Sequence, residues 1–329
     1  MNDIKSKLFR LSFTALVISS LALYTGVSAI PQTKSDHVEQ FGVYGTRWAD
    51  WVKLNHHLTG FYIYQIPRKT KPVNAQTVKE ISATGIEVLA MQAIYPSVKE
   101  RFLRKGMRPD REVSDVVDQI ALNFSAPAFD NIQVVSIDEE NFWWNGRADY
   151  LTDIYHLLKS RMRNREIWQW FNDNQHQFAP VEDRFKVPAD GYIADMYSLS
   201  LSDYETRLRE YVSQGKAVIS TLWASPNWKH GQRAIGRQTD WWDREGWRTF
   251  YMKTLINRRY GVRTALFMYD LPYRGDGRKL TPNFKSEDPC VRAFTDKLFN
   301  VTLPQLGTIP IDSAIPAIRP DWMAERCPT

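Results

Sequence analysis

The chain has 329 residues, 43% of them hydrophobic and 24% charged, with a formal net charge of +6. That composition excludes a disordered, collagen-like or disulfide-stapled protein, and so mild a positive excess calls for no nucleic-acid partner. Two Cys and six His leave little material for a metal module, and neither a metal nor another cofactor is expected.

Residues 1–29 read as a secretory signal, with Lys5, Lys7 and Arg10 at the start, an apolar stretch from Leu11 to Val27, and Val27-Ser28-Ala29 as the small-residue cleavage site. The leader holds three basic residues and one acidic one, so its removal leaves +4. An uncleaved membrane anchor is the alternative, but Ser12, Thr14, Ser19, Ser20, Thr25 and Gly26 dilute the stretch. The mature protein is therefore expected to be secreted or periplasmic, with no stable membrane insertion.

From there, short apolar runs rich in β-branched and aromatic residues alternate with helical patterns, the signature of parallel βα units. Strands are predicted at Phe41 to Thr46, Gly60 to Gln65, Ile86 to Ile94, Ile132 to Glu140, Glu166 to Phe171, Gly191 to Tyr197, Ala217 to Trp223 and Arg263 to Asp270. Helices are predicted near Ala75 to Thr84, Glu112 to Asn123, Arg147 to Asn164, Ser202 to Gln214, Trp241 to Tyr260 and Pro289 to Asn300. In the second helix Val113, Val116, Val117, Ile120 and Ala121 make one apolar stripe. Eight strands in this order predict an α/β fold, a (β/α)8 TIM barrel filling residues 30–302 as a single domain, with an open doubly wound sheet as the other possible architecture. The stretch 303–329 carries five prolines and reads as an irregular tail packed on the barrel. Cys290 and Cys327, in a chain bound for an oxidising compartment, are predicted to form a disulfide that pins this tail.

The chemistry is concentrated in the fourth predicted strand, Ile132-Gln-Val-Val-Ser-Ile-Asp-Glu-Glu140. Alternation puts Val134, Ser136, Asp138 and Glu140 on one face, and Val135 and Ile137 on the other. If the latter two face the helices, Asp138 and Glu140 share the carboxyl-end mouth of the barrel, where active sites of this fold gather. Glycosidic cleavage needs a proton donor at the leaving oxygen and a second carboxyl to meet the developing oxocarbenium ion. Glu140 suits the first role and Asp138 the second.

The run Val135-Ser-Ile-Asp138-Glu-Glu140 resembles the fourth-strand signature of hyaluronidases and, more distantly, of family-18 chitinases. The resemblance implies Glu140 as the acid and Asp138 as the group orienting an N-acetyl substituent that serves as internal nucleophile. Ser136 stands where chitinases carry a further Asp, and Glu139 where hyaluronidases carry Trp. The implied function is hydrolysis of an extracellular or periplasmic polysaccharide, one that contains N-acetylhexosamine.

Asp195 and Tyr197 share a face of the sixth strand as a substrate-positioning pair, and Asp195 also supports a rival mechanism, a retaining α-glycosidase with Asp138 as nucleophile and Asp195 as acid/base. Aromatic faces for stacking on sugar rings are expected from Trp143, Trp144, Trp170, Trp223 and Trp228. Asp173, Tyr269 and Asp270, at the ends of the fifth and eighth strands, extend the same rim as substrate contacts. Arg47, Arg233, Arg237 and Arg274 lie in predicted loops where they could read uronic-acid carboxylates. A non-catalytic glycan-binding barrel remains a separate possibility, as does a metal-dependent hydrolase built on His56 or His57 with Asp138. The oligomeric state is not legible in these residues.

Overall fold

The computed structural model describes residues 41–45, 58–66, 75–92, 112–138, 148–173, 185–196, 199–223, 244–267, 296 and 298–310. Chain contacts separate Met1–Lys34 from Ser35–Thr329, and every described residue belongs to the second unit. The predicted signal at 1–29 and both cysteines lie outside the described residues.

All eight predicted strands form: β1 (Phe41–Gly45), β2 (Phe61–Ile66), β3 (Glu87–Gln92), β4 (Val134–Ile137), β5 (Glu166–Asn172), β6 (Gly191–Asp195), β7 (Ala217–Trp223) and β8 (Arg263–Phe267). Each pairs in parallel with the next, and β8 pairs with β1 through Phe41 and Thr264, so the sheet closes. The open-sheet alternative is thereby excluded. Several strands stop short of their predicted ends, β4 at Ile137 and β6 at Asp195 among them.

Alternation sorts the strand residues into two layers. Tyr44, Ile63, Leu89, Val134, Trp170 and Ile219 belong to a cluster inside the barrel, whereas Tyr62, Val88, Val135, Ile137, Phe171 and Leu222 pack outward under the helices. The interior is filled by large rings, and glycines make the room for them. A Cβ on Gly42 would lie 2.2 Å from the Phe61 ring, and one on Gly191 would lie 2.3 Å from Trp168. Each large side chain so buried contributes roughly 1.5–3 kcal/mol.

The helix layer follows the expected apolar stripes. Helix α1 (Ala75–Ala83) buries Val78 and Ile81, and α2 (Val113–Asn123) buries Val116, Val117 and Ile120. Helix α3 (Ala148–Arg161) buries Tyr150, Leu151, Ile154 and Leu158, and α4 (Leu201–Val212) buries Tyr204, Leu208 and Tyr211. Spacings of three and four residues put each set on one face. Helix α4 starts a residue earlier than predicted because Ser200 caps it, its Oγ accepting the Asp203 amide at 3.2 Å. Helix α5 (Arg244–Arg259) leads into β8, and beyond β8 a π-helical turn, Leu298–Thr302, runs straight into α6 (Leu303–Thr308). The segment predicted as an irregular tail therefore begins as a helix, and Leu303 and Leu306 are buried. Arg258 of α5 donates to the Leu306 and Ile309 carbonyls at 2.6 Å each, which fastens α6 to the barrel's helix layer. No helix among the described residues is long and apolar enough to cross a membrane.

A buried polar chain ties α4, β7, α5 and β8 together. Tyr204 donates to Asn257 Oδ1 at 2.5 Å, which leaves Ser220 Oγ to donate to the Tyr204 oxygen at 2.7 Å. Asn257 Nδ2 in turn donates to Thr264 Oγ1 at 2.9 Å. Burial pushes the Tyr204 phenol well above its ordinary pKa, consistent with a hydroxyl that stays protonated as a donor.

Candidate active site

The fourth strand is oriented as its alternation requires. Val135 and Ile137 pack outward and Val134 packs inward, which places Ser136 and Asp138 on the axial face. The Asp138 amide donates to the Gln92 carbonyl at 3.0 Å and carries the β3–β4 ladder one step beyond Ile137. Asp138 thus stands, buried, at the carboxyl end of β4. Glu140 lies outside the described residues.

Asp195 occupies the matching position on β6, on the same axial face as Ile193. It has no solvent exposure, and Thr221 Oγ1, its register partner on β7, donates to its Oδ1. Between β4 and β6, Asn172 ends β5 on the axial face shared with Trp168 and Trp170, and it pairs in register with Asp195. Four consecutive strands therefore present polar side-chain positions at one end of the barrel axis: Asp138, Asn172, Asp195 and Thr221. Asn172 and Thr221 were not singled out by sequence reasoning. The available signal was a polar residue two positions after an inward-facing apolar one.

Three expected roles change. Trp170, read as a sugar platform, is 1% exposed, and its ring meets that of Tyr44 at 5.0 Å between centroids, so it fills the barrel core. Asp173 falls on the other side of the alternation from Asn172 and accepts a hydrogen bond from Tyr211 of α4 at 2.5 Å. Its amide also donates to the Asp195 carbonyl at 2.8 Å, so Asp173 joins strand end to helix layer instead of extending the rim. Asp195, proposed as an acid/base, is enclosed in the barrel and does not meet solvent. Trp223 ends β7 opposite Phe267 of β8 in the register. Tyr197, Trp143, Trp144, Trp228, Tyr269 and Asp270 lie outside the described residues, as do His56, His57 and the four loop arginines.

One buried cation adjoins this end of the barrel. Lys253 of α5 reaches the Met196 carbonyl at 3.3 Å, directly after Asp195, and its ammonium lies 5.0 Å from the centre of the Tyr204 ring. Burial lowers its pKa to about 7. The group fixes the end of β6 from the helix side. A carboxyl held at a strand mouth among amide and hydroxyl groups is equipped to exchange a proton with, or balance charge on, a substrate bound there.

No protein-family model matches the chain, and no curated protein matches it. Solved structures do superpose. A putative α-L-fucosidase from Bacteroides thetaiotaomicron aligns over 83% of this chain and 96% of its own, at 8% identity and a TM-score of 0.54. Native xylanase 10C from Cellvibrio japonicus aligns over 79% and 70%, at 10% identity and 0.51. A family-10 xylanase of Thermobacillus composti aligns over 74% and 90%, at 11% identity and 0.48. What superposes here is a xylanase barrel, not a hyaluronidase or chitinase, and the resemblance to hyaluronidases and family-18 chitinases is not upheld. That resemblance rested on a short acidic run, and strand-end acids arise on TIM barrels of many families because the mouth of the barrel is where the fold presents them. What the superpositions establish is the fold: the chain is an eight-stranded parallel TIM barrel with its helices outside.

Proposed function

We propose that the chain is a glycoside hydrolase of the TIM-barrel class, acting on a polysaccharide outside the cytoplasm, with Glu140 as general acid and Asp138 as the carboxylate opposite it. The observation that carries this reading is the position of Asp138, on the axial face at the carboxyl end of β4, in a closed barrel. Glu140 follows two residues later in the sequence. The fold likeness to carbohydrate-active barrels supports the reaction class, and the signal sequence predicted at 1–29 supports the location.

Substrate assistance by an N-acetyl group entered through the chitinase-like resemblance and loses its ground with it. The retaining scheme with Asp195 as proton donor is disfavoured as well, because a fully enclosed carboxyl bonded to Thr221 cannot reach a glycosidic oxygen. In this reading Asp195 acts as a positioning group under the site.

The test is release of reducing ends from a panel containing xylan, an N-acetylhexosamine polymer and a uronic-acid polymer, together with an aryl α-L-fucoside. Wild type is expected to cleave at least one. Glu140→Gln should lower kcat on that substrate by about 10²–10⁴-fold, the usual share of a general acid. Full activity of Glu140→Gln would sink the assignment, and binding without product on every polymer would make the chain a glycan-binding barrel.

A further inference from the structure

The height of each inward side chain along the barrel axis follows from the strand register. A barrel of this fold has a shear of about eight residues over its eight strands, so a level layer runs one residue ahead of the ladder pairing at each successive strand. Such layers draw their inward positions from alternate strands. On this count Tyr44, Met91, Trp170 and Thr221 share a layer, and the Tyr44 and Trp170 rings do meet inside it, 5.0 Å apart.

The next layer toward the mouth brings Gln65 of β2 level with Asp138 and Asp195. Gln65 pairs with Met91, Gln92 with Ile137 and Phe171 with Ala194, and one step past each of the last two strand positions stands an acid. Gln65 alternates inward with Phe61 and Ile63, while Tyr62, Tyr64 and Ile66 pack outward. In the closed strand order β2 lies opposite β6, with β4 midway, so Gln65 stands across the mouth from Asp195 and Asp138 stands between them. Asp138 and Asp195 are buried, whereas Gln65 is half-buried and meets solvent. Its carboxamide makes no hydrogen bond among the described residues. The layer therefore opens toward a ligand on the β2 side. A primary amide offers donors and an acceptor in one plane, a match for two neighbouring sugar hydroxyls of which one accepts and the other donates.

We infer that Gln65 is a substrate-binding residue, its carboxamide holding a pair of neighbouring hydroxyls on the sugar seated beside Asp138. The inference rests on the proposed hydrolase reading. It also narrows the substrate. A uronate carboxylate in this place would meet the like charge of the Asp138 carboxylate, so the ring held here is a neutral one.

The experiment compares wild type with Gln65→Met on xylan, the N-acetylhexosamine polymer, the uronic-acid polymer and the aryl α-L-fucoside, reading kcat and KM together with Kd from calorimetric titration. Methionine keeps the volume and loses both hydrogen bonds, so the variant is expected to fold, with a melting temperature within about 3 °C of wild type. On a neutral probe that wild type cleaves, KM should rise about 10- to 100-fold while kcat changes less than about threefold, the pattern of lost ground-state binding. Gln65→Asn draws the amide back by one methylene and carries the test, with the same direction of change, if Gln65→Met does not fold. An unchanged KM in the folded variant overturns the inference and leaves the hydrolase reading standing. Cleavage confined to the uronic-acid polymer overturns it as well. If wild type binds a neutral probe and cleaves none, the hydrolase reading falls, and a Kd weakened about tenfold in Gln65→Met upholds the binding role. Neither binding nor cleavage of any probe overturns both.

Discussion

The two ends of the barrel are built differently. At the amino ends of the strands, the long polar side chains are committed to one another or to backbone. Arg263 of β8 reaches Glu87 of β3 and covers the Phe61 ring, its guanidinium carbon 4.7 Å from the ring centre. Arg165 donates to the carbonyls of Ile132 at 3.0 Å and Phe129 at 2.9 Å, with Phe124 at 3.4 Å. Asp190 accepts from Lys159, Tyr155 and the Ile167 amide, all within 2.9 Å, and so binds α3 to the starts of β5 and β6. At the carboxyl ends, Asp138 and Asp195 lie on the axial face, and Ser136 and Trp170 are left without acceptors. One end spends its polar groups on holding the fold together. The other keeps donors uncommitted near carboxyls, the division between stability and chemistry that this fold repeatedly shows.

The largest expected break in that contrast comes from the interior at the amino end. Gly191→Ala places a Cβ against Trp168 where no space exists, and overpacking of this kind costs about 1–3 kcal/mol. In a domain of this size that is roughly 2–5 °C of melting temperature, measurable by scanning calorimetry. Specific activity of the folded fraction should be kept.

A smaller effect separates the ends by pH. At the amino end, burial works to raise the Asp190 pKa, but the Ile167 amide, Lys159 and Tyr155 outweigh it and hold the group below the ordinary carboxylate value. A depressed acid contributes stability above its unfolded pKa and loses it as pH falls through the folded one. Asp190→Asn should therefore lower the melting temperature at pH 7 and have no such effect near pH 2. At the other end, Lys253 is a base lowered to about 7, so between that value and its ordinary 10.5 the unfolded chain binds the extra proton. Stability should rise with pH across that interval and stay level below it, and Lys253→Met should flatten the rise. Melting curves taken at a series of pH values read both effects. The smallest effect belongs to an exposed pair on the helix layer, Arg161 with Asp118 at 3.4 Å, where Asp118→Ala should cost less than about 0.5 kcal/mol.

The barrel was legible because each strand is a compact apolar run and each helix carries a stripe at three- and four-residue spacing. Ends were harder. In β4 and β6 the alternating pattern of the sequence continues to Glu140 and Tyr197, so the prediction overshoots the last ladder pair. The axial position of Asp138 followed from alternation alone, since Val135 and Ile137 had to face apolar helices. Trp170 was misjudged for the opposite reason. An aromatic at a strand end suggests a platform, but Trp168 and Trp170 alternate inward together, and the barrel is wide enough to bury both. Asp173 could not be read locally, because its partner Tyr211 is 38 residues away. Thr221 and Ser136 went unweighted because a hydroxyl in an apolar strand carries no sign of what it faces.

The most direct test pairs one substitution from each end and follows turnover and melting temperature together. Asp138→Asn should abolish hydrolysis of the substrate identified from the panel while leaving the melting temperature within about 3 °C of wild type. Arg165→Met, which strips hydrogen bonds from three backbone carbonyls, should do the reverse, lowering the melting temperature with kcat of the folded protein unchanged. Undiminished turnover by Asp138→Asn, in a protein that melts like wild type, would contradict the account.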